Sequence, residues 1–222
     1  MSALLDQLAL CIERGKVDAK SPHPKDMKDQ DGADELTQRA LAEGVPASEI
    51  LAQGMVIGMG RIGQKYSENK AFVPDLLMAA KAMKAAMVHL RPHFDAGEAH
   101  YRGSIVIGTV KGDMHDIGKH IVSMIMEGGG WKVIDLGVDV APEKFAATVK
   151  ENPGSIVGLS ALLTTTMLNM QDAVKAVKAV EPSTKVIIGG APVTQEFANK
   201  IGADAYAPDP QVALNYLNAL CV

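Results

Sequence analysis

Residues Thr109 to His120 place an imidazole, His115, between two carboxylates, Asp113 and Asp116, on a loop punctuated by Gly112 and Gly118. Such a set can bind a metal through one ring nitrogen or move a proton. A ligating histidine usually gives its second N–H to a carboxylate, and Asp113 is spaced to take it. The same residues also fit a capped loop with a surface histidine. A phosphate loop is a poorer fit, because neither GxGxxG nor GxxxxGKS/T occurs there. A phospho-acceptor pocket would want more acid than Asp113 supplies. Two further stretches carry chemistry: Gly158 to Thr166 gathers the hydroxyls of Ser160, Thr164, Thr165 and Thr166, and Ile188 to Pro192 contains Gly189-Gly190. Paired glycines let a ligand lie against the backbone, or simply make a turn.

These stretches follow apolar runs at Ser104 to Val110, Ser155 to Leu159 and Lys185 to Ile188, with others at Trp131 to Leu136 and, more weakly, Ala203 to Ala207. Helical segments lie between them, at Gly118 to Glu127, Pro142 to Lys150, Met167 to Val180 and Thr194 to Ile201, and one more runs from Pro210 to Leu220. Strand and helix alternating five times predicts a parallel sheet wrapped by helices. Ligands bind such sheets beyond the carboxyl ends of the strands, where the strand order reverses. The three chemical stretches therefore belong to one edge.

The first ~90 residues read as helices instead. Leu4, Leu5, Leu8 and Ile12 share one face, as do Leu36, Ala40 and Leu41 after the polar stretch Ser21 to Asp31. A third helix opens at Ser48 and carries Ile50, Leu51, Met55, Met59, Ile62 and Tyr66. A fourth opens at Pro74 and carries Leu77, Ala80, Met83, Met87 and Leu90 to a stop at Pro92. Gly54, Gly58, Gly60 and Gly63 each cost the third helix about 1 kcal/mol relative to Ala. Close packing of a neighbouring helix or of a flat ligand would offset that. The expected architecture is a four-helix bundle over residues 1–91, a linker and hinge over 92–103, and a Rossmann-like, flavodoxin-like five-stranded parallel-sheet domain over 104–222.

Composition bounds the partners. The chain has 222 residues, 47% of them hydrophobic, enough for a real core. Its 22 Lys and Arg against 26 Asp and Glu give a net charge of −4, which argues against a nucleic-acid partner held on a basic face. Cys11 and Cys221 lie near opposite ends with no metal spacing, so a reducing cytoplasm is expected rather than export. No apolar run approaches the ~18 residues of a spanning helix, so no membrane role is expected.

Asp113-x-His115-x-x-Gly118, then Ser160-x-Leu162, then Gly189-Gly190, resembles the signature of cobalamin-binding domains that hold the cofactor with its nucleotide base displaced and a protein histidine on cobalt. Residues 59–66, Phe72 to Pro74 and Ala79 to Met83 resemble the helical cap of methionine synthase and of methyltransferase-associated corrinoid proteins. Both halves in this order resemble the stand-alone corrinoid proteins from end to end. The resemblance implies His115 as the lower axial cobalt ligand, with Asp113 bonded to it and Thr166 extending the relay to solvent. It implies that protonation of the pair is linked to cobalt valence. It implies corrin or nucleotide contacts at Gly112, Met114, Asp116, Ile117, Gly118, Ser160, Leu162, Thr164, Gly189, Gly190, Ala207, Pro208 and Asp209, and cap contacts at Met59, Gly63, Tyr66 and Val73. His120 stands where relatives often have Asn, and Tyr66 and Val73 stand where methionine synthase has larger apolar residues.

The function so implied is a methyl carrier, not catalytic alone. A substrate:corrinoid methyltransferase would load it, a corrinoid:thiol or corrinoid:tetrahydropterin methyltransferase would unload it, and a reductive activator would restore it. A substrate barrel takes ~250 residues, which the chain cannot also house. A cobalamin-dependent sensor would add a DNA-binding domain and a tryptophan in its cap motif, whereas Trp131 lies outside the cap. The small subunit of a carbon-skeleton mutase normally lacks the helical half.

Overall fold

The computed structural model describes residues 3–220. The chain divides into two compact units, one reaching Tyr101 and including Gly128–Gly130, the other formed by Arg102–Glu127 and the chain from Trp131 onward.

The first unit is helical. Helix α1 (Ala3–Arg14) buries Leu4, Leu5, Leu8 and Ile12, and α2 (Ala33–Ala42) buries Leu36 and Ala40. Helix α3 (Ala47–Glu49), a π-helical segment Ile50–Met55 and α4 (Val56–Ser67) follow without a break. The glycines of this stretch separate by environment. A Cβ on Gly54 would stand 2.7 Å from Leu8 Cδ2, and one on Gly58 would stand 2.5 Å from the Ala9 carbonyl. Both are absent so that α1 can approach. Gly60 meets nothing within 4 Å, so no such contact offsets its cost.

Helix α5 (Val73–Asp95) departs from expectation twice. Its buried face is Leu76, Ala79, Ala82, Met83, Ala86 and Leu90, while Leu77 is exposed and Ala80 and Met87 are half-buried. Met83 and Leu90 of the expected stripe are buried, but Ala79, Ala82 and Ala86, with Leu76, complete the face in place of Leu77, Ala80 and Met87. The helix also runs through Pro92 instead of stopping there. Proline removes one N–H, the partner of the Val88 carbonyl, and Val88 lies on an exposed face. The turn beyond is closed by Ala96 N–H to Pro92 O at 3.0 Å and Glu98 N–H to His93 O at 2.9 Å, with Gly97 at φ +75°. Phe94 and Tyr101 stack with ring centroids 4.5 Å apart. Much of the stretch expected to link the domains is therefore ordered within the first unit.

The second unit alternates as the apolar runs require. Strands β1 (Ser104–Thr109), β2 (Lys132–Asp135), β3 (Ile156–Ser160), β4 (Val186–Gly189) and β5 (Ala205–Tyr206) form one parallel sheet in the order β2-β1-β3-β4-β5. Between and after them lie α6 (Ile117–Gly128), α7 (Pro142–Glu151), α8 (Thr164–Met167), α9 (Asn169–Val180), α10 (Gln195–Ile201) and α11 (Pro210–Ala219). Strands β1 and β3 are buried along nearly their whole length, as strands covered on both faces must be. Val106, Val157, Leu159, Val186 and Ile188 pack against Phe145, Val149, Met170, Val174 and Val177 of α7 and α9. Trp131 lies over Gly103, and its indole N–H donates to Asn218 Oδ1 at 3.1 Å.

Strand order reverses between β1 and β3, whose register pairs Thr109 with Ser160. Their carboxyl ends are therefore level. The loops after them open on the crevice where parallel sheets of this order hold ligands.

Candidate functional site

Thr109 ends β1 and Ile117 begins α6, so the chain between has to reverse within seven residues. It does so by a turn from Val110 to Asp113, closed by Asp113 N–H to Val110 O at 3.1 Å with Gly112 at φ +80°. Buried Thr109 donates its hydroxyl to the His115 carbonyl at 2.9 Å, tying the loop back to the strand.

Asp113 is the centre of the arrangement. Its side chain has 0% exposure, while the His115 side chain is 52% exposed. Oδ1 accepts the His115 backbone N–H at 3.0 Å and lies 3.0 Å from His115 Nδ1. Oδ2 accepts the Leu162 N–H at 2.8 Å and the Thr166 hydroxyl at 2.6 Å. Burial alone would raise this carboxyl's pKa, but the bonds from Thr166, Leu162 and His115 outweigh it and hold the group well below the ordinary carboxylate range. An ionised carboxylate only accepts, so Nδ1 of His115 carries the proton and Nε2 is the ring nitrogen with a lone pair. One imidazole, oriented by a buried anion, faces outward.

Its surroundings suit a flat apolar ligand. Met114 and Ile117 are 69% and 71% exposed, and Leu162 and Leu163 are also exposed. A Cβ on Gly118 would meet nothing within 4 Å, which leaves an open step at the start of α6. Gly190 is different: at φ +131°, its Cβ would stand 1.8 Å from the Ala161 carbonyl, so glycine lets β4's end close on β3's. Gly189 sits 3.0 Å, by the same measure, from the Ala207 carbonyl. Among the described residues no group of three or more His, Cys, Asp or Glu is placed to hold a metal ion.

The fold brings most of the expected residues to this one edge. Gly112, Asp113, Met114, His115, Asp116, Ile117 and Gly118 follow β1; Ser160, Leu162, Thr164 and Thr166 follow from the end of β3; Gly189 and Gly190 close β4; Ala207, Pro208 and Asp209 follow β5. Asp209 caps α11, accepting the N–H groups of Gln211 and Val212 at 2.8 and 2.9 Å. Thr166 is buried, so its hydroxyl braces Asp113 and does not itself open the pair to solvent. In the helical unit, Met59 and Gly63 are buried within α4, while Tyr66 and Val73 are half-buried. His120 is half exposed on α6, 3.7 Å from Asp116 and 3.6 Å from Asp135.

Four residues at this edge escape sequence reasoning. Thr109 was hidden at the end of a strand. Asp135 pairs with the buried Lys119 of α6. Asp139 accepts the Gly112 N–H at 2.6 Å, and Asn169 Nδ2 donates to the Lys111 carbonyl at 2.7 Å. The one available signal was position: Asp135 ends β2 and Asp139 follows it, and β2 neighbours β1.

Comparison with known proteins identifies the two parts of the chain. Two family models, each described as a B12 binding domain, match residues 103–215 and 28–91. A corrinoid protein of Desulfitobacterium hafniense (strain Y51) is 38% identical over 197 residues, covering 86% of this chain and 91% of that protein. Trimethylamine corrinoid protein 2 of Methanosarcina mazei is 39% identical over 195 residues, covering 86% and 89%. Among solved structures, the methanol:cobalamin methyltransferase complex MtaBC of Methanosarcina barkeri matches with a TM-score of 0.82 at 26% identity, covering 99% of this chain and 80% of that one.

Proposed function

The chain belongs to the corrinoid proteins with B12-binding domains, and from that premise we propose that it carries a methyl group between two methyltransferases, with His115 as its axial ligand to cobalt. The observation that carries the reading is the buried Asp113 carboxylate holding Nδ1 of a half-exposed imidazole at the switch edge of the sheet. A bound corrinoid supplies a cobalt centre nucleophilic enough to take a methyl group and labile enough to give it up.

The residues present fit that group. A corrin already surrounds its metal with four ring nitrogens, so the protein need furnish only one ligand, and it furnishes one. Met114, Ile117 and Leu162 offer apolar surface to a macrocycle beside the imidazole. Gly118, with no Cβ, leaves room beside them.

The protein's own part is to orient, to exclude and to hold a proton. Asp113 fixes the ring by Nδ1 and keeps its proton there, which leaves Nε2 as the atom that would meet a metal. Thr166 and the Leu162 N–H keep Asp113 ionised and still. With a corrinoid bound, His115 would be the residue that holds it through Nε2, and Asp113 would keep the ring proton on Nδ1. Base-off binding, with the nucleotide tail displaced along Ser160, Thr164, Gly189 and Gly190 toward Ala207 to Asp209, is part of this reading. So are contacts from Met59, Gly63, Tyr66 and Val73, which rest on the family resemblance.

A substrate:corrinoid methyltransferase is the loading partner, in keeping with the MtaBC complex to which the chain is similar. A second methyltransferase, delivering to a thiol or tetrahydropterin, and a reductive activator complete the proposed cycle. The methyl donor is chosen by the loading partner, since this chain provides the carrier. Among the described residues no helix is long and apolar enough to cross a membrane.

The test is reconstitution of the purified protein with hydroxocobalamin, followed by electron paramagnetic resonance in the cobalt(II) state. In protein labelled with nitrogen-15 histidine, wild type should bind one equivalent and show axial hyperfine coupling to nitrogen-15, which His115→Ala should lose, any coupling left there coming from the cofactor's own base. A spectrum indifferent to that substitution would remove His115 from cobalt.

A further inference from the structure

The loop that presents His115 turns on one peptide unit. Asp113 N–H bonds to Val110 O at 3.1 Å and Gly112 has φ +80°, the positive value that a type II turn needs at its third residue. Types I and II differ mainly in the middle peptide, which is rotated by about 180° between them. Here that unit is the Lys111 carbonyl and the Gly112 N–H.

Both of its polar groups are held from outside the loop. The Gly112 N–H donates to Asp139 Oδ1 at 2.6 Å, and the Lys111 carbonyl accepts from Asn169 Nδ2 at 2.7 Å. Asp139 follows β2 and Asn169 opens α9 after β3, so the grip comes from beyond the two strands that flank β1. Asp139 also donates its own N–H to the Asp113 carbonyl at 2.9 Å. Asp139 itself lies at φ +53°, where a non-glycine residue is strained and a glycine would not be. A glycine there would offer no acceptor.

We infer that Asp139 and Asn169 are positioning residues for His115, a clamp that fixes the Lys111–Gly112 peptide in its type II orientation so that Asp113 and the imidazole leave the turn in one direction. The inference rests on the reading of His115 as the cobalt ligand. The clamp works by sign as well as by number. A flipped peptide would aim the Lys111 carbonyl at the Asp139 carboxylate, oxygen against oxygen, and would lose a charge-assisted bond. Either orientation satisfies the Val110–Asp113 bond, so the turn alone does not choose.

Donor and acceptor logic sets the test, using two variants that conserve volume and one truncation. Asp139→Asn keeps an acceptor oxygen for Gly112, whereas Asn169→Asp loses the donor and faces Lys111 with a second acceptor. Asp139→Ala removes the acceptor outright. In the cofactor-free protein, exchange of the Gly112 amide should quicken roughly tenfold in Asp139→Ala, the effect of one net hydrogen bond, and should stay near wild type in Asp139→Asn. In the cobalamin-loaded protein, the ratio of nitrogen-coupled to uncoupled cobalt(II) signal should fall roughly tenfold in Asp139→Ala and Asn169→Asp with cofactor still bound. His115→Ala is the reference: it should abolish the coupling and leave Gly112 exchange alone. If His115→Ala abolishes coupling but Asp139→Ala and Asn169→Asp keep the wild-type ratio, the clamp is overturned and the reading of His115 stands. If wild type shows no coupling to histidine nitrogen-15, or that coupling survives His115→Ala, the reading of His115 falls and the clamp loses its purpose with it.

Discussion

Thr166 Oγ1 donates to Asp113 Oδ2 at 2.6 Å, 53 residues apart in the chain and out of contact with water. That bond fills the last acceptor site of the carboxylate, whose other sites are taken by the His115 N–H, the His115 ring and the Leu162 N–H. The hydroxyl also lies 3.1 Å from the Leu163 carbonyl, but its single proton belongs with the nearer, charged oxygen. The pair that holds the imidazole is thus a joint between the β1 and β3 loops.

Thr166→Ala leaves a buried carboxylate one donor short, and its cost should be about 1–3 kcal/mol. The denaturant midpoint of the cofactor-free protein should drop with an unchanged slope. Thr166→Ser, which keeps the hydroxyl, should recover most of the loss; equal losses in the two variants would make the methyl group, not the hydrogen bond, responsible.

The depressed pKa of Asp113 makes part of the stability acid-labile. The unfolded carboxyl has a pKa of about 3.9, so below it the unfolded chain takes up a proton that the folded site resists. The contribution is complete above that value and is lost as pH falls toward the lower folded pKa. The stability gap between wild type and Asp113→Asn should therefore be constant at neutral pH and shrink below about pH 4. A gap that stays level from neutrality down to pH 3 would show that the folded carboxyl titrates normally.

Gly118 and Gly190 should respond oppositely to alanine. At Gly190 the new Cβ collides with the Ala161 carbonyl at a backbone angle alanine avoids, so the protein should lose several kcal/mol or fail to fold. At Gly118 nothing stands within 4 Å, so Gly118→Ala should fold at least as well and may be compared directly with wild type for cobalamin binding. Bulk placed in that open step, as in Gly118→Val, should weaken cobalamin binding about tenfold or more while thermal unfolding without cofactor shifts little. Undiminished binding would put the corrin elsewhere.

Within the helical unit, Gly58→Ala should destabilise, because its Cβ would press to 2.5 Å on the Ala9 carbonyl and 2.6 Å on Ile12 Cβ. Gly60→Ala, facing open space, should stabilise by up to about 1 kcal/mol through helix propensity. The two substitutions sit two residues apart on one helix, so midpoints moving in the same direction would refute the packing account.

Cys11 is buried, and desolvation pushes its thiol up to about 11. Its Sγ donates to the Asp31 carbonyl at 3.6 Å. A disulfide reagent at neutral pH should leave Cys11 unmodified in the native protein, as judged by peptide mapping, and modify it once denaturant is added. Prompt native labelling would mean that α1 opens far more readily than its packing suggests.

Patterns confined to neighbours were legible without coordinates. Alternating apolar runs and helical segments specify a parallel sheet, and Asp113 with His115 two residues later specify a carboxylate and an imidazole that share a loop. What failed was what depends on the environment of a side chain. Helix α5 is apolar on more than one side, so periodicity could not say that Leu76 and Ala79 face the core while Leu77 faces water. Pro92 reads as a stop only if the turn beyond it has nothing to close it, and His93, Phe94 and Gly97 close it.

The sequence by itself therefore determined the class of fold and the sheet edge that gathers the polar loops, since both follow from short-range spacing, while the choice of His115 as the residue to meet a ligand rested on family resemblance. The tertiary structure decided how that residue is held. Leu162, Thr166 and Asn169 reach the Asp113 loop across 49, 53 and 58 residues of chain, and Gly112 is met by Asp139 across 27. No local propensity brings such partners together; the lateral pairing of β1 with β2 and β3 does, by setting three loops side by side at one end of the sheet.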